Sequence, residues 1–160
     1  MSPSWLVIGL GNPGPRYDGT RHNVGADVVT ELCLRAGEKL SPARRQQAEL
    51  VCTRVSSAGL GVPAADAQAV TLMRSRTYMN ESGIAVRKVA SVAGITPDHL
   101  IVVHDEIDLD PGRLRLKKGG GDNGHNGLKS IRAHMRTGDF IRVRVGVGRP
   151  PGLSLIHISE

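Results

Sequence analysis

His22 and Asp105 are the residues whose chemistry can be stated first. His22 follows a turn rich in proline and glycine and opens a helical stretch. Near a helix N-terminus the dipole favours a neutral imidazole, which can take a proton near pH 7. Asp105 stands at the mouth of the apolar run Leu100–Val103, where a carboxylate is costly unless something nearby uses it. One use is to accept the Nδ1–H of an imidazole, which fixes the tautomer and leaves Nε2 to deprotonate water or a hydroxyl. Plainer roles stand beside these: His22 as a surface or capping residue, Asp105 as a turn cap among Glu106, Asp108 and Asp110. The sequence has no G-x-S-x-G turn, and neither Cys33 nor Cys52 adjoins a histidine in a glycine-rich turn. Water is therefore the expected attacker. His22, His104, Asp105 and His125 show neither H-E-x-x-H nor regular ligand spacing, so no metal is expected.

Two glycine clusters offer a second kind of chemistry. Gly9, Gly11 and Gly14 match G-x-G-x-x-G after a strand, which would seat a dinucleotide pyrophosphate on the next helix. Pro13, Pro15 and Gly19 keep the chain irregular until about His22, and the acid about twenty residues on, Glu31, falls inside a helix, so the fingerprint is poorly met. Gly119 to Gly127, with Lys117, Lys118 and Lys129 around it, offers backbone N–H groups, a helix N-terminus and lysines to a phosphate; a flexible loop is the alternative. Asn12, Asn80 and Asn126 each follow a strand or open a helix. Their amides could donate to and accept from an ester, an amide or a ribose, or serve as turn residues.

The elements that must position these groups alternate. Trp5–Leu10 reads as a buried strand and residues 23–36 as a helix turning Val24, Val28, Val29, Leu32 and Cys33 inward. A strand is expected within 49–55, a loop over 56–66, a strand at 69–73, and a helix over 82–93 with Ala85, Val89 and Val92 inward. Leu100–Val103 reads as a strand buried on both faces, residues 113–117 as a half-exposed strand, Leu128, Ile131 and Met135 as one helical face, and 141–147 as a strand presenting Arg142 and Arg144 together. This order predicts an α/β fold: a single three-layer α/β/α domain with a mostly parallel mixed sheet and ligand residues beyond its strand ends.

The 160-residue length suits one domain. Four aromatics, Trp5, Tyr17, Tyr78 and Phe140, argue against a nucleic-acid module built on stacked platforms. Charge is localised: residues 1–112 hold 11 Lys/Arg against 12 Asp/Glu, whereas residues 113–149 hold 10 against 2. Such a stretch suits a polyanion, or is a solvated basic face. No run approaches the about 18–20 apolar residues of a membrane span, and the N-terminus lacks a signal-peptide pattern, so a cytoplasmic address is expected. Both cysteines are expected to be small buried hydrophobes.

Five segments in order resemble the bacterial-type peptidyl-tRNA hydrolases, which cut the ester joining a peptide to tRNA: Val7 through Gly14 with Tyr17, Thr20-Arg21-His22-Asn23, Thr77-Tyr78-Met79-Asn80, His104-Asp105-Glu106, and Gly119 through Lys129. The resemblance implies that His22 is the base on water, Asp105 its orienting partner and Asn12 the group contacting the ester. It implies that Asn80 and Asn126 hold the peptide backbone and terminal nucleotide, that Tyr17, Tyr78, Met79 and His125 line the site, and that Lys117 and Arg144 clamp phosphate. The implied substrate is peptidyl-tRNA, gripped at its acceptor stem and 3′ end by a monomer needing no cofactor. Tyr78 stands where the family often has Phe, Arg115 where it often has Lys, and Asn123 where it often has Gly. The family pattern occupies residues 1–152, and 153–160 read as a tail unlike the longer family C-terminus, so a catalytically impaired tRNA-binding protein is the alternative. A metal-dependent hydrolase and an NAD(P)-dependent oxidoreductase are the remaining readings.

Overall fold

The computed structural model describes residues 4–17 and 19–149; the expected tail at 153–160 lies outside them. In chain order the elements are strand β1 (Ser4–Gly9), helix α1 (Val24–Arg35), strands β2 (Ser41–Ala43), β3 (Ala48–Ser56), β4 (Gly59–Leu60) and β5 (Gln68–Ser75), helix α2 (Ser82–Ala93), strands β6 (Leu100–Glu106) and β7 (Leu114–Lys118), helix α3 (Asn126–Met135) and strand β8 (Ile141–Gly146). They build one mixed sheet in the order β2-β3-β5-β1-β6-β8-β7, with β4 on β3. The central strands β5, β1, β6 and β8 are parallel, while β3 and β7 close the two sides in antiparallel pairing.

Helices cover both faces. On one, Leu6, Ile8, Leu100 and Val102 pack with Ala85, Val86 and Val89 of α2 and with Leu128 and Ile131 of α3. On the other, Val70 and Leu72 meet Val29 and Cys33 of α1. This double cover explains why β1 and β6 are apolar at successive positions. It also makes an α/β/α three-layer domain, as the alternation of elements implies.

The strand ends share a level. Gly9 is opposite both Arg74 of β5 and Val103 of β6, so the loops leaving β1 and β5 emerge beside the last turn of β6. There α1 sits almost against the sheet. A Cβ on Gly9 would lie 2.0 Å from the Gly25 carbonyl oxygen, and one on Gly25 would lie 2.2 Å from that of Val103. These glycines let helix and sheet backbones touch. The close approach that the G-x-G pattern permits is thus to the chain's own helix.

Several local expectations are corrected. Val92 is 74% exposed, and Val86 and Ala90 take the inward positions on α2, because the helix is rotated to meet α3 as well as the sheet. Cys52 is exposed on β3; it stands beside Thr71 on the sheet face opposite α1, toward the outer side of the sheet. The strand expected to be half exposed, β7, is exposed at every position because it is the sheet edge. Within the segment 56–66, Gly59–Leu60 turns back onto β3.

Candidate active site

β6 runs on past its apolar residues through His104, Asp105 and Glu106, all at most 8% exposed. The three polar groups are therefore strand residues with alternating directions, where the sequence suggested a mouth beyond the strand. Burial by itself pushes the Asp105 carboxyl up, but hydrogen bonds from His125 and His22 outweigh it and hold the group well below the usual carboxylate range. His22 Nδ1–H donates to Asp105 Oδ2 at 2.8 Å, and His125 Nε2–H donates to Oδ1 at 2.7 Å. One carboxylate thus holds two imidazoles, whose ring centroids are 5.2 Å apart.

The tautomers follow from the partners. Gly127 and Leu128 backbone N–H groups donate to His125 Nδ1 at 3.1 and 3.3 Å, making His125 the cap of α3. A nitrogen accepting two N–H groups carries no proton, so the His125 proton is on Nε2, facing Asp105. His22 presents Nδ1–H to the same carboxylate, which puts its basic lone pair on Nε2. The ligand atoms of His22, Asp105 and His125 lie within 4.8 Å of one another, close enough to be considered as a metal site. A metal on His125 Nε2 would drive that ring's proton onto Nδ1, against the two backbone donors. The donor set therefore fits a proton-handling dyad better than a metal centre.

His22 reaches Asp105 because its loop is pinned at both ends. Asn23, fully buried, accepts the Asn12 N–H at 2.7 Å and donates to the Asn12 carbonyl at 3.0 Å; its carboxamide replaces a missing backbone partner. Asn12 Oδ1 in turn accepts the Met79 N–H at 2.6 Å. That bond orients the Asn12 amide, with Nδ2–H₂ on its other side. Tyr17 is half-buried in a short 3₁₀ turn of this loop, with the Arg16 guanidinium 4.9 Å from its ring centre. Met79 is buried, whereas Tyr78, Asn80 and Asn126 are exposed at the site's margin.

Beyond Asp105 a cavity of about 310 Å³ is walled by His22, His104, Glu106, Lys117, Arg142, Arg144 and the loop 121–126. Asn12, Tyr17, Tyr78, Met79 and Asn80 are not part of this wall; they belong to the loops after β1 and β5. Sheet order therefore spreads the candidate residues in a row: Met79 and Asn80, then Asn12 and His22, then Asp105 and His125, then Arg144 and Lys117.

Four participants are not assigned by sequence reasoning. Asn23 was legible only as a neighbour of His22. His104 donates Nδ1–H to the Asp105 carbonyl at 2.8 Å, while burial, reinforced by His125, lowers its pKa to about 4. Glu106 accepts from Arg144 Nε and Nη2 at 3.1 and 2.8 Å. Arg142, expected to share a strand face with Arg144, is 3% exposed. It donates to the carbonyls of Gly120, Gly121 and Gly138 and stacks on Phe140. Its charge thus organises the glycine loop that delivers His125.

A family model described as Peptidyl-tRNA hydrolase matches residues 6–157. A peptidyl-tRNA hydrolase of Cutibacterium acnes is 91% identical over 95% of this chain and 76% of its own length. One from Mycobacterium marinum is 48% identical, over 95% of this chain and 74% of its own. The crystal structure of peptidyl-tRNA hydrolase from Acinetobacter baumannii superposes with a TM-score of 0.81 at 38% identity, covering 95% of this chain and 72% of that one.

Proposed function

Because the chain belongs to the peptidyl-tRNA hydrolase family, hydrolysing the ester between peptide and tRNA, we propose that His22 performs this reaction as a general base on water. His22 Nε2 takes a proton as the water oxygen bonds to the ester carbonyl carbon. The resulting oxyanion receives an Asn12 Nδ2–H, since Oδ1 is occupied by the Met79 N–H. Collapse breaks the bond to the ribose oxygen, which recovers the proton from His22 and leaves as free tRNA; the peptide leaves as a carboxylic acid that then ionises. Asp105 stabilises the transient imidazolium and preserves its orientation.

The row along the sheet divides recognition from chemistry. Tyr17, Tyr78, Met79, Asn80 and Asn126 receive the peptide end and terminal nucleotide, with His125 holding Asp105 from the far side. Lys117 and Arg144 face acceptor-stem phosphate. The protein works as a monomer in the cytoplasm; among the described residues no helix is long and apolar enough to cross a membrane.

The observation that carries this reading is the 2.8 Å bond from His22 Nδ1–H to Asp105, which commits Nε2 to proton acceptance. His22→Ala is expected to lower kcat by about 10²–10⁴-fold with tRNA binding retained. Steady-state hydrolysis paired with a binding titration tests it, and an unchanged kcat overturns the assignment.

A further inference from the structure

The cavity wall contains two buried acids, Asp105, which holds the imidazoles, and Glu106, which is aimed at one of the cations. Glu106 is 8% exposed. Its Oε1 receives both Arg144 Nε–H and Nη2–H, and its Oε2 lies 3.3 Å from the Asp108 N–H. Strand register puts Arg115 beside Arg144 and Lys117 beside Arg142. Arg115 and Lys117 are exposed, whereas the Arg144 guanidinium is held on a carboxylate.

We propose that Glu106 sets the RNA specificity of this wall by neutralising Arg144 while fixing the direction of its guanidinium. This rests on the reading that Arg144 meets an RNA phosphate. At a distance the pair has no net charge, so it adds little to the general attraction of a polyanion or to counterion release. At contact, the N–H groups not used by Glu106, both on Nη1 among them, remain as directed donors. A phosphate in the correct position is bound by geometry; phosphate elsewhere gains almost nothing from Arg144. Lys117, a flexible point charge, supplies the undirected part of the attraction.

The test compares deacylated tRNA with a generic RNA duplex, each titrated against the full chain between about 50 and 200 mM salt. Glu106→Gln keeps the shape of the side chain and exposes one uncompensated charge. Duplex affinity is expected to rise at low salt, and the affinity lost across the salt range to grow by about threefold. Preference for tRNA should shrink accordingly. An unchanged salt slope in folded Glu106→Gln, with Arg144→Ala still weakening tRNA, overturns the role of Glu106. If Arg144→Ala leaves tRNA affinity untouched, the underlying reading falls and this inference with it. Should Glu106→Gln not fold, the double variant Glu106→Gln/Arg144→Gln decides, since it removes the pair without changing net charge. Its duplex salt slope should equal that of the parent, and a slope flatter by about one contradicts neutralisation.

Discussion

Asp105 is asked to hold two imidazoles by their N–H groups, and its substitution should show that demand. In Asp105→Asn one side of the carboxamide is an NH₂, which opposes either His22 Nδ1–H or His125 Nε2–H. The capped His125 resists changing tautomer, so His22 would be turned to present its lone pair to the amide and its N–H to the water. A loss of kcat on the order of 10⁴-fold is expected; a rate within tenfold of the parent, measured at saturating substrate, would show that the tautomer does not matter. His104 makes a different prediction. Its folded-state pKa of about 4 lies below the ordinary histidine value, so the unfolded chain binds more protons between these limits. His104 therefore stabilises fully above about pH 6.5, and this contribution is lost as pH falls to about 4, a change on the order of 3 kcal/mol. His104→Asn, which can retain a donor to the Asp105 carbonyl, should flatten that part of a chemical-denaturation series; an unaltered pH profile would rule out His104 as the source.

The elements that place these residues meet at backbone contact distance. With a Cβ 2.2 Å from the Val103 carbonyl oxygen and 2.8 Å from the Leu10 nitrogen, Gly25→Ala must push α1 away from β6. A destabilisation of about 1–3 kcal/mol is expected, together with reduced hydrolysis, because His22 enters the site from the turn leading into α1. A urea midpoint unchanged from the parent would mean that the helix moves at no cost. Helices α1, α2 and α3 were legible because each repeats apolar residues with the helical period, and β1, β5 and β6 because they are short apolar runs between turns. The strands β2 and β4, of three and two residues, carry too few residues for any period. They exist because β3 offers edges to pair with. Val92 was misplaced for a related reason: the period gives the apolar arc of α2, but contact with α3 decides which side of the arc is covered.

At the scale of the whole molecule, the basic segment 113–149 becomes β7, α3 and β8; both strands lie on one side of Asp105 in the sheet order, while α3 packs over the sheet face beside α2. A charge excess that is linear in the chain is thus a one-sided electrostatic field in space. Lys117→Ala should raise KM for tRNA-linked substrate and reduce its salt slope by about 0.7–0.9, while leaving a short peptidyl-adenosine substrate nearly unaffected. Equal losses on both substrates would place Lys117 in the chemistry and out of the clamp.

The sequence by itself determined the period of each helix, the buried character of the central strands, the place of the basic segment, and motifs specific enough to indicate the family. All of these are properties of residues close together in the chain. The family motifs already indicated that His22 would meet Asp105, across 83 positions; only the tertiary structure decided that His125 would take the same carboxylate, and that Arg142 would be buried while Arg144 paired with Glu106. Those outcomes depend on strand order and register, in which residues far apart in the chain become neighbours, and no local periodicity encodes which of several polar side chains will be adjacent.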